Sequence, residues 1–78
     1  MRLGLRMSYN FKIDVERETD GRWIAEIRAL PGVMVYGKTR ADAVRSVYAL
    51  ALRVLAHRIE RTRKAPAKDL ELSFARSR

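Results

Sequence analysis

The side chains most often recruited for catalysis are scarce in this 78-residue chain and poorly spaced for the task. His57 is the only histidine, so neither a paired-imidazole acid–base system nor a multi-histidine metal site can be built within one chain. Cysteine is absent, which removes thiolate nucleophiles, thiolate-bound metals and disulfides. Asp14, Glu16 and Glu26 could gather on one face of a sheet and hold a divalent cation. Ordinary strand polarity accounts for them more simply, and Lys12 and Arg28 would share that face and offset their charge. Ser8, Ser46, Ser73 and Ser77 sit in no context that would activate a nucleophile. Gly21, Gly32 and Gly37 are spaced as turn residues and not as a phosphate-cradling loop. The sequence therefore predicts a binding protein and no enzyme, with no catalytic, cofactor-binding or metal-ligating residues.

One kind of chemistry is well supplied. Lys and Arg number 17 against 9 Asp and Glu, a net charge of +8. A basic surface releases counterions when it meets phosphate, which raises nucleic acid as a partner. The contact residues would be Arg45, Arg53, Arg61, Arg63 and Lys64, along the polar side of a helix. The competing reading is a solvated basic face, because cations near a helix C-terminus are favoured by its dipole. Arg2 and Arg6 near the start and Arg76 and Arg78 near the end add charge without marking a site.

The elements that must position these groups are legible from periodicity. Tyr9, Phe11, Ile13 and Val15 alternate with polar residues, the pattern of a strand with one buried and one wet face. The clean polar face predicts an antiparallel sheet open to water on one side. Asp20 and Gly21 turn the chain. A two-residue turn would set Val15 against Glu26, whereas a three-residue loop with Gly21 left-handed pairs Val15 with Ala25 and Ile13 with Ile27. Burial favours the second register, at the cost of placing Asp14 near Glu26. A second strand spans residues 22–28, with Trp23, Ala25 and Ile27 facing the core. Pro31 and Gly32 end it, and a short third strand over residues 33–36 is closed by Gly37. Thr39 caps a helix, with Asp42 near its positive end, that runs to about Thr62. After a connector around Pro66, Leu70, Leu72 and Phe74 alternate again as a fourth strand.

The helix carries an anomaly. Ala43, Val47, Leu50, Ala51 and Val54 form a stripe that can lie on the sheet, and Tyr48, Leu52, Leu55 and Ile59 extend it round one side. The apolar arc spans roughly 200°, about twice what a one-sided amphipathic helix needs. A well-wrapped core is one reading. The other, favoured because one helix and one small sheet offer little cover, is that Tyr48, Leu52, Leu55 and Ile59 meet another chain, making a homo-oligomer (dimer or tetramer). A chain this short also buries a limited core, and association would supplement it.

The domain plan is a disordered leader over residues 1–8, a single domain over 9–75 and a basic tail over 76–78. The regular pattern begins just after Met7, so the first six residues read as a dispensable extension or an over-called start. No run approaches the roughly 18 apolar residues of a membrane span, and the opening is too short and interrupted for a signal peptide. The expectation is a cytoplasmic protein with no membrane partner.

Taken in order, Asp20-Gly21-Arg22-Trp23-Ile24-Ala25-Glu26-Ile27, Leu30-Pro31-Gly32-Val33, Tyr36-Gly37-Lys38-Thr39 and Ala41-Asp42-Ala43 resemble the HicB antitoxin family, over about residues 9 to 74. The resemblance implies an α+β, two-layer β-β-β-α-β domain with a partial ribonuclease-H-like fold. In it an antiparallel three-stranded meander is followed by a crossover helix and a fourth strand parallel to the first, a right-handed crossover. True ribonuclease H enzymes spread metal-binding carboxylates over the first strand, helix and fourth strand. Here residues 43–59 contain none, and Asp42 and Glu60 lie at the ends of that stretch, so the fold would be borrowed without its catalysis. The resemblance further implies a protein-binding module of a toxin-antitoxin system that neutralises a small ribonuclease, a HicA-like toxin. Two departures stand out. The chain ends just after its fourth strand, where many relatives continue into a DNA-binding domain, so none is expected here. The strong positive charge also fits a basic toxin poorly. The alternative is a solitary homo-oligomeric domain that binds nucleic acid through the basic side of its helix.

Overall fold

The computed structural model describes residues 6–62 and 69–76. Its elements are β1 (Arg6–Arg17), β2 (Trp23–Glu26), β3 (Met34–Gly37), α1 (Arg40–Arg61) and β4 (Asp69–Arg76). They form an α+β domain with one four-stranded sheet in the order β3-β2-β1-β4. The first three strands pair antiparallel and β4 runs parallel to β1, as the sequence led us to expect. One boundary is corrected. The strand begins at Arg6, and Arg6, Met7 and Ser8 pair with Asp69, Leu70 and Glu71, so these three residues are not leader. Met7 continues the odd-numbered alternation of Tyr9 and Phe11, and β4 supplies a ladder for its backbone. At the other end Arg76 belongs to β4, opposite Ile13. The remaining leader, residues 1–5, and the remaining tail, 77–78, lie outside the described residues.

The turns set the register. Val15 lies opposite Ala25 and Asp14 opposite Glu26, with Thr19-Asp20-Gly21 as a three-residue loop closed by Glu18 N–H donating to the Arg22 carbonyl at 2.7 Å. Gly21 sits at φ +94°, a left-handed conformation that only glycine adopts without strain. Asp20 accepts from the Arg22 amide at 3.0 Å and from its guanidinium at 2.8 Å. The like-charged Asp14–Glu26 neighbours are relieved by Arg28, whose Nε lies 3.1 Å from Asp14. At the next turn Val33 N–H donates to the Leu30 carbonyl at 3.0 Å, with Pro31 first and Gly32 second (φ +83°) at the centre, the signature of a type II turn. Leu30 is buried and anchors this loop to the core.

Ile13, Ala25, Ile27, Leu30 and Val33 from the sheet side meet Ala43, Val47, Ala51 and Leu55 from α1 in one core. The helix starts where expected: Thr39 is extended, and its hydroxyl accepts from the Asp42 amide at 3.0 Å. Asp42 pairs with Arg45. Gly37 does something different from an ordinary turn. A Cβ there would stand 2.9 Å from the Ala43 Cα, so glycine is what lets β3 approach the first turn of α1.

The sheet is not uniformly covered. The helix packs chiefly on β2 and β3, whereas β1 pairs with β2 through residues 14–17 and with β4 through residues 6–13. The two halves of β1 thus belong to different surroundings, and the molecule is drawn out to 55 × 23 × 16 Å. The far half is a two-stranded ribbon. Its outer face is polar and keyed by Ser73 Oγ donating to Asn10 Oδ1 at 2.7 Å. Its inner face carries Met7, Tyr9 and Phe11 beside Leu70, Leu72 and Phe74.

Candidate functional site

Two surfaces emerge where α1 meets the ribbon. The first is apolar. Tyr48 reaches β4, its ring 5.0 Å from that of Phe74, which in turn stacks on Phe11 at 5.9 Å. Beyond this aromatic bridge the side chains lose their cover. Leu52 is 46% exposed and Leu70 56%, and Ile59 and Leu72 are exposed as well. Ala49 and Ala56 lie on the same side of α1, at the i, i+3, i+7 spacing that includes Leu52, and both are exposed. Of the charged side chains of α1 between Ser46 and Ile59, Arg58 lines the groove described below, and Arg53, at i+4 from Ala49, borders this flank. Exposed apolar side chains thus stand on both elements that the Tyr48–Phe74 contact joins, Leu52 and Ile59 on α1 and Leu70 and Leu72 on β4.

Of the four residues expected on that flank, Tyr48 is half-buried against Phe74, and Leu52 and Ile59 are free to meet a partner. Leu55 is placed otherwise. At 4% exposure it belongs to the chain's own core, because its position on α1 faces inward alongside Ala51. It offers a partner almost no surface. Leu70 and Leu72 were read as one face of a strand. Alternation sets the face of a strand side chain, and the reach of α1 over the sheet sets whether that face is covered.

The second surface is basic. Past Leu55 the sheet-facing stripe of α1 runs beyond the core, and its composition changes. Val54 is followed at i+4 and i+7 by Arg58 and Arg61. With Arg53, His57 and the ring of Tyr9 they line an open groove of about 700 Å³. Ligand pockets range from roughly 300 to 1,000 Å³, so the groove is of a useful size. The ion pairs among the described residues involve Arg22, Arg28 and Arg45 and none of the groove arginines. Glu60, the carboxylate nearest in sequence, does not line the groove.

The expected nucleic-acid residues therefore divide. Arg53 and Arg61 come together; Arg45 is near the other end of α1, paired with Asp42; Arg63 and Lys64 lie outside the described residues. Sequence reading missed Tyr9 as a groove residue, having assigned it to the core. It also left out Arg58, although the i+4 step from Val54 was visible.

On the outer face of the sheet, Asp14 and Glu26 are neighbours but gather no third carboxylate; among the described residues no three His, Cys, Asp or Glu side chains are placed to hold a metal ion. Met34 and Tyr36 are exposed near the β3 edge, with the Arg22 guanidinium 4.2 Å from the Tyr36 ring centre. No described helix is long and apolar enough to cross a membrane. Comparison of the chain with protein-family models, with curated proteins and with solved structures returned no match.

Proposed function

We propose that this chain is a cytoplasmic protein-binding module of the HicB antitoxin type, which self-associates and covers a small ribonuclease toxin. The observation that carries the reading is the exposure of four large apolar side chains, Leu52 and Ile59 on α1 and Leu70 and Leu72 on β4. Monomeric proteins seldom leave neighbouring large apolar side chains bare without a partner. A second copy is the first occupant to consider. At +8 the chain repels itself, and an interface between copies must avoid opposing cations; the uncharged Leu52, Ala56 and Ile59 of α1 allow that. Among the described residues β4 ends the sheet, with β1 as its neighbour, and a sheet edge is where another strand can add.

The family part of the proposal is supported by the sequence elements quoted above and by the topology. A parallel β4 beside β1, reached through α1, is what a partial ribonuclease-H-like fold requires. The test has two stages. Native mass determination should find a dimer or tetramer, and Leu52→Glu with Leu72→Glu should give a monomer with unchanged circular dichroism. A wild-type monomer, or a double variant that still assembles, refutes the interface. Capture of the tagged chain from its own cells, with nuclease added, should then co-purify a stoichiometric small protein. If it yields only the chain itself, the toxin-covering role is lost and the self-associating domain stands alone.

A further inference from the structure

We infer that the basic groove at the C-terminal end of α1 binds single-stranded nucleic acid, with phosphates on Arg53, Arg58 and Arg61 and a base against Tyr9. This goes beyond the protein-binding role and uses a different surface.

The groove arises from a mismatch of lengths. α1 has 22 residues, and its buried positions end at Leu55. The last turn and a half therefore project past the core while keeping the same rotational phase. Had this overhang been idle, a mixture of signs would suit it, as i, i+4 acid–base pairs support an exposed helix. Instead His57, Arg58 and Arg61 of the overhang line the groove together with Arg53 from the turn before, Glu60 does not line it, and these arginines form no ion pair among the described residues. Part of this bias follows from the helix dipole, which favours cations in the last turn. Arg53 lies two turns earlier, where the dipole contributes little, so the dipole does not account for the set.

Tyr9 separates a nucleic acid from a simple anion. It comes from β1, not from α1, and is half-buried with its ring 6.0 Å from that of Phe11. A supported aromatic ring beside arginines is the arrangement on which unpaired bases stack while cations follow the backbone. In a duplex the bases are paired and stacked on one another, so the ring would have no free base to meet. An acidic peptide would satisfy the arginines without using the ring. Single-stranded RNA or DNA uses both.

The experiment is fluorescence anisotropy with the full chain and a labelled 12-nucleotide oligo-uridine or oligo-thymidine, over a series of salt concentrations. With about three phosphates engaged, the log–log salt slope should be near −2. Arg58→Glu with Arg61→Glu should weaken binding by more than tenfold. Lys12→Glu with Lys38→Glu, the same charge change at exposed positions outside the groove, should weaken it far less. Tyr9→Leu should cost about tenfold, the effect of losing one stacked base. Circular dichroism and native mass on each variant separate loss of binding from loss of fold or assembly. The inference is overturned if no binding appears at low salt, if the two charge-reversal pairs weaken it equally, if Tyr9→Leu changes nothing, or if a duplex of matching length or polyglutamate binds as tightly.

Discussion

The inward face of the sheet keeps one alternating pattern along β1 and β4, yet its two ends have very different fates. Ile13 and Val15 alternate with polar residues; Ile13 is buried in the core shared with α1, and Val15, opposite Ala25 of β2, packs against that core. Met7 and Tyr9 alternate equally well and, with Leu70 and Leu72 on β4, extend past most of the helix. Ile13 is fully buried, whereas Leu70 is more than half exposed. Alternation dictates which face a side chain takes, but cover comes from another element. The difference places the chain's own core at one end and leaves exposed apolar side chains, on which the proposed contacts rest, at the other.

The sharpest break in this comparison is a pair of truncations. Ile13→Ala removes methylenes from a site with no access to water and should destabilise the chain by about 2–4 kcal/mol. Leu70→Ala in the ribbon should cost no more than about 0.5 kcal/mol in the monomer. Denaturant titration of both at low protein concentration checks the contrast. Repeating it at high concentration sharpens it, because self-association through the ribbon would make the Leu70 deficit grow while that of Ile13 stays put. Equal losses at low concentration would mean that the ribbon is as well buried as the core.

Gly37→Ala probes how closely the covered half is drawn together. The added Cβ would meet the Ala43 backbone, which cannot rotate aside, so β3 and α1 must separate. The expected loss is about 1–3 kcal/mol, read from the denaturation midpoint. An unchanged midpoint would show that the junction yields freely. Thr39→Ala acts on the same junction more gently. It frees the Asp42 amide from its cap and should cost about 1 kcal/mol, with Thr39→Ser recovering most of it.

Much of this architecture was legible in the residues. The clash of Val15 with Glu26 in one register selected the three-residue loop, and Thr39 marked the helix start to the residue. What escaped was relational. Nothing in the first eight residues announced that Met7 would find Leu70 across a parallel ladder, because parallel partners lie far apart in sequence. Leu55 was read as interface because the apolar arc was wide, yet arc width does not say where the inward direction falls. The groove escaped for a similar reason. Tyr9 belongs to the apolar face of β1, and only the overhang of α1 turns that face into the wall of a basic cleft.

The smallest effect expected is at the turn that starts the covered half. Asp20 is held below its ordinary value of 3.8 first by the Arg22 amide that its carboxylate accepts, and further by the Arg22 guanidinium. A carboxyl whose folded value is depressed binds its proton less readily folded than unfolded. The stability it contributes is therefore complete above the unfolded value and lost as pH falls through the lower folded one. Asp20→Asn keeps an oxygen for the Arg22 amide and removes only the charge, so the loop geometry should persist. The variant should be slightly less stable than wild type at neutral pH, and the gap should close as pH drops below 3.8. Thermal melts of both chains from pH 7 down to the acid limit measure it. A gap that persists unchanged in acid would assign the contribution of Asp20 to hydrogen-bond geometry alone, and the hairpin would then owe its register to Gly21 and the burial of Ala25 without help from charge.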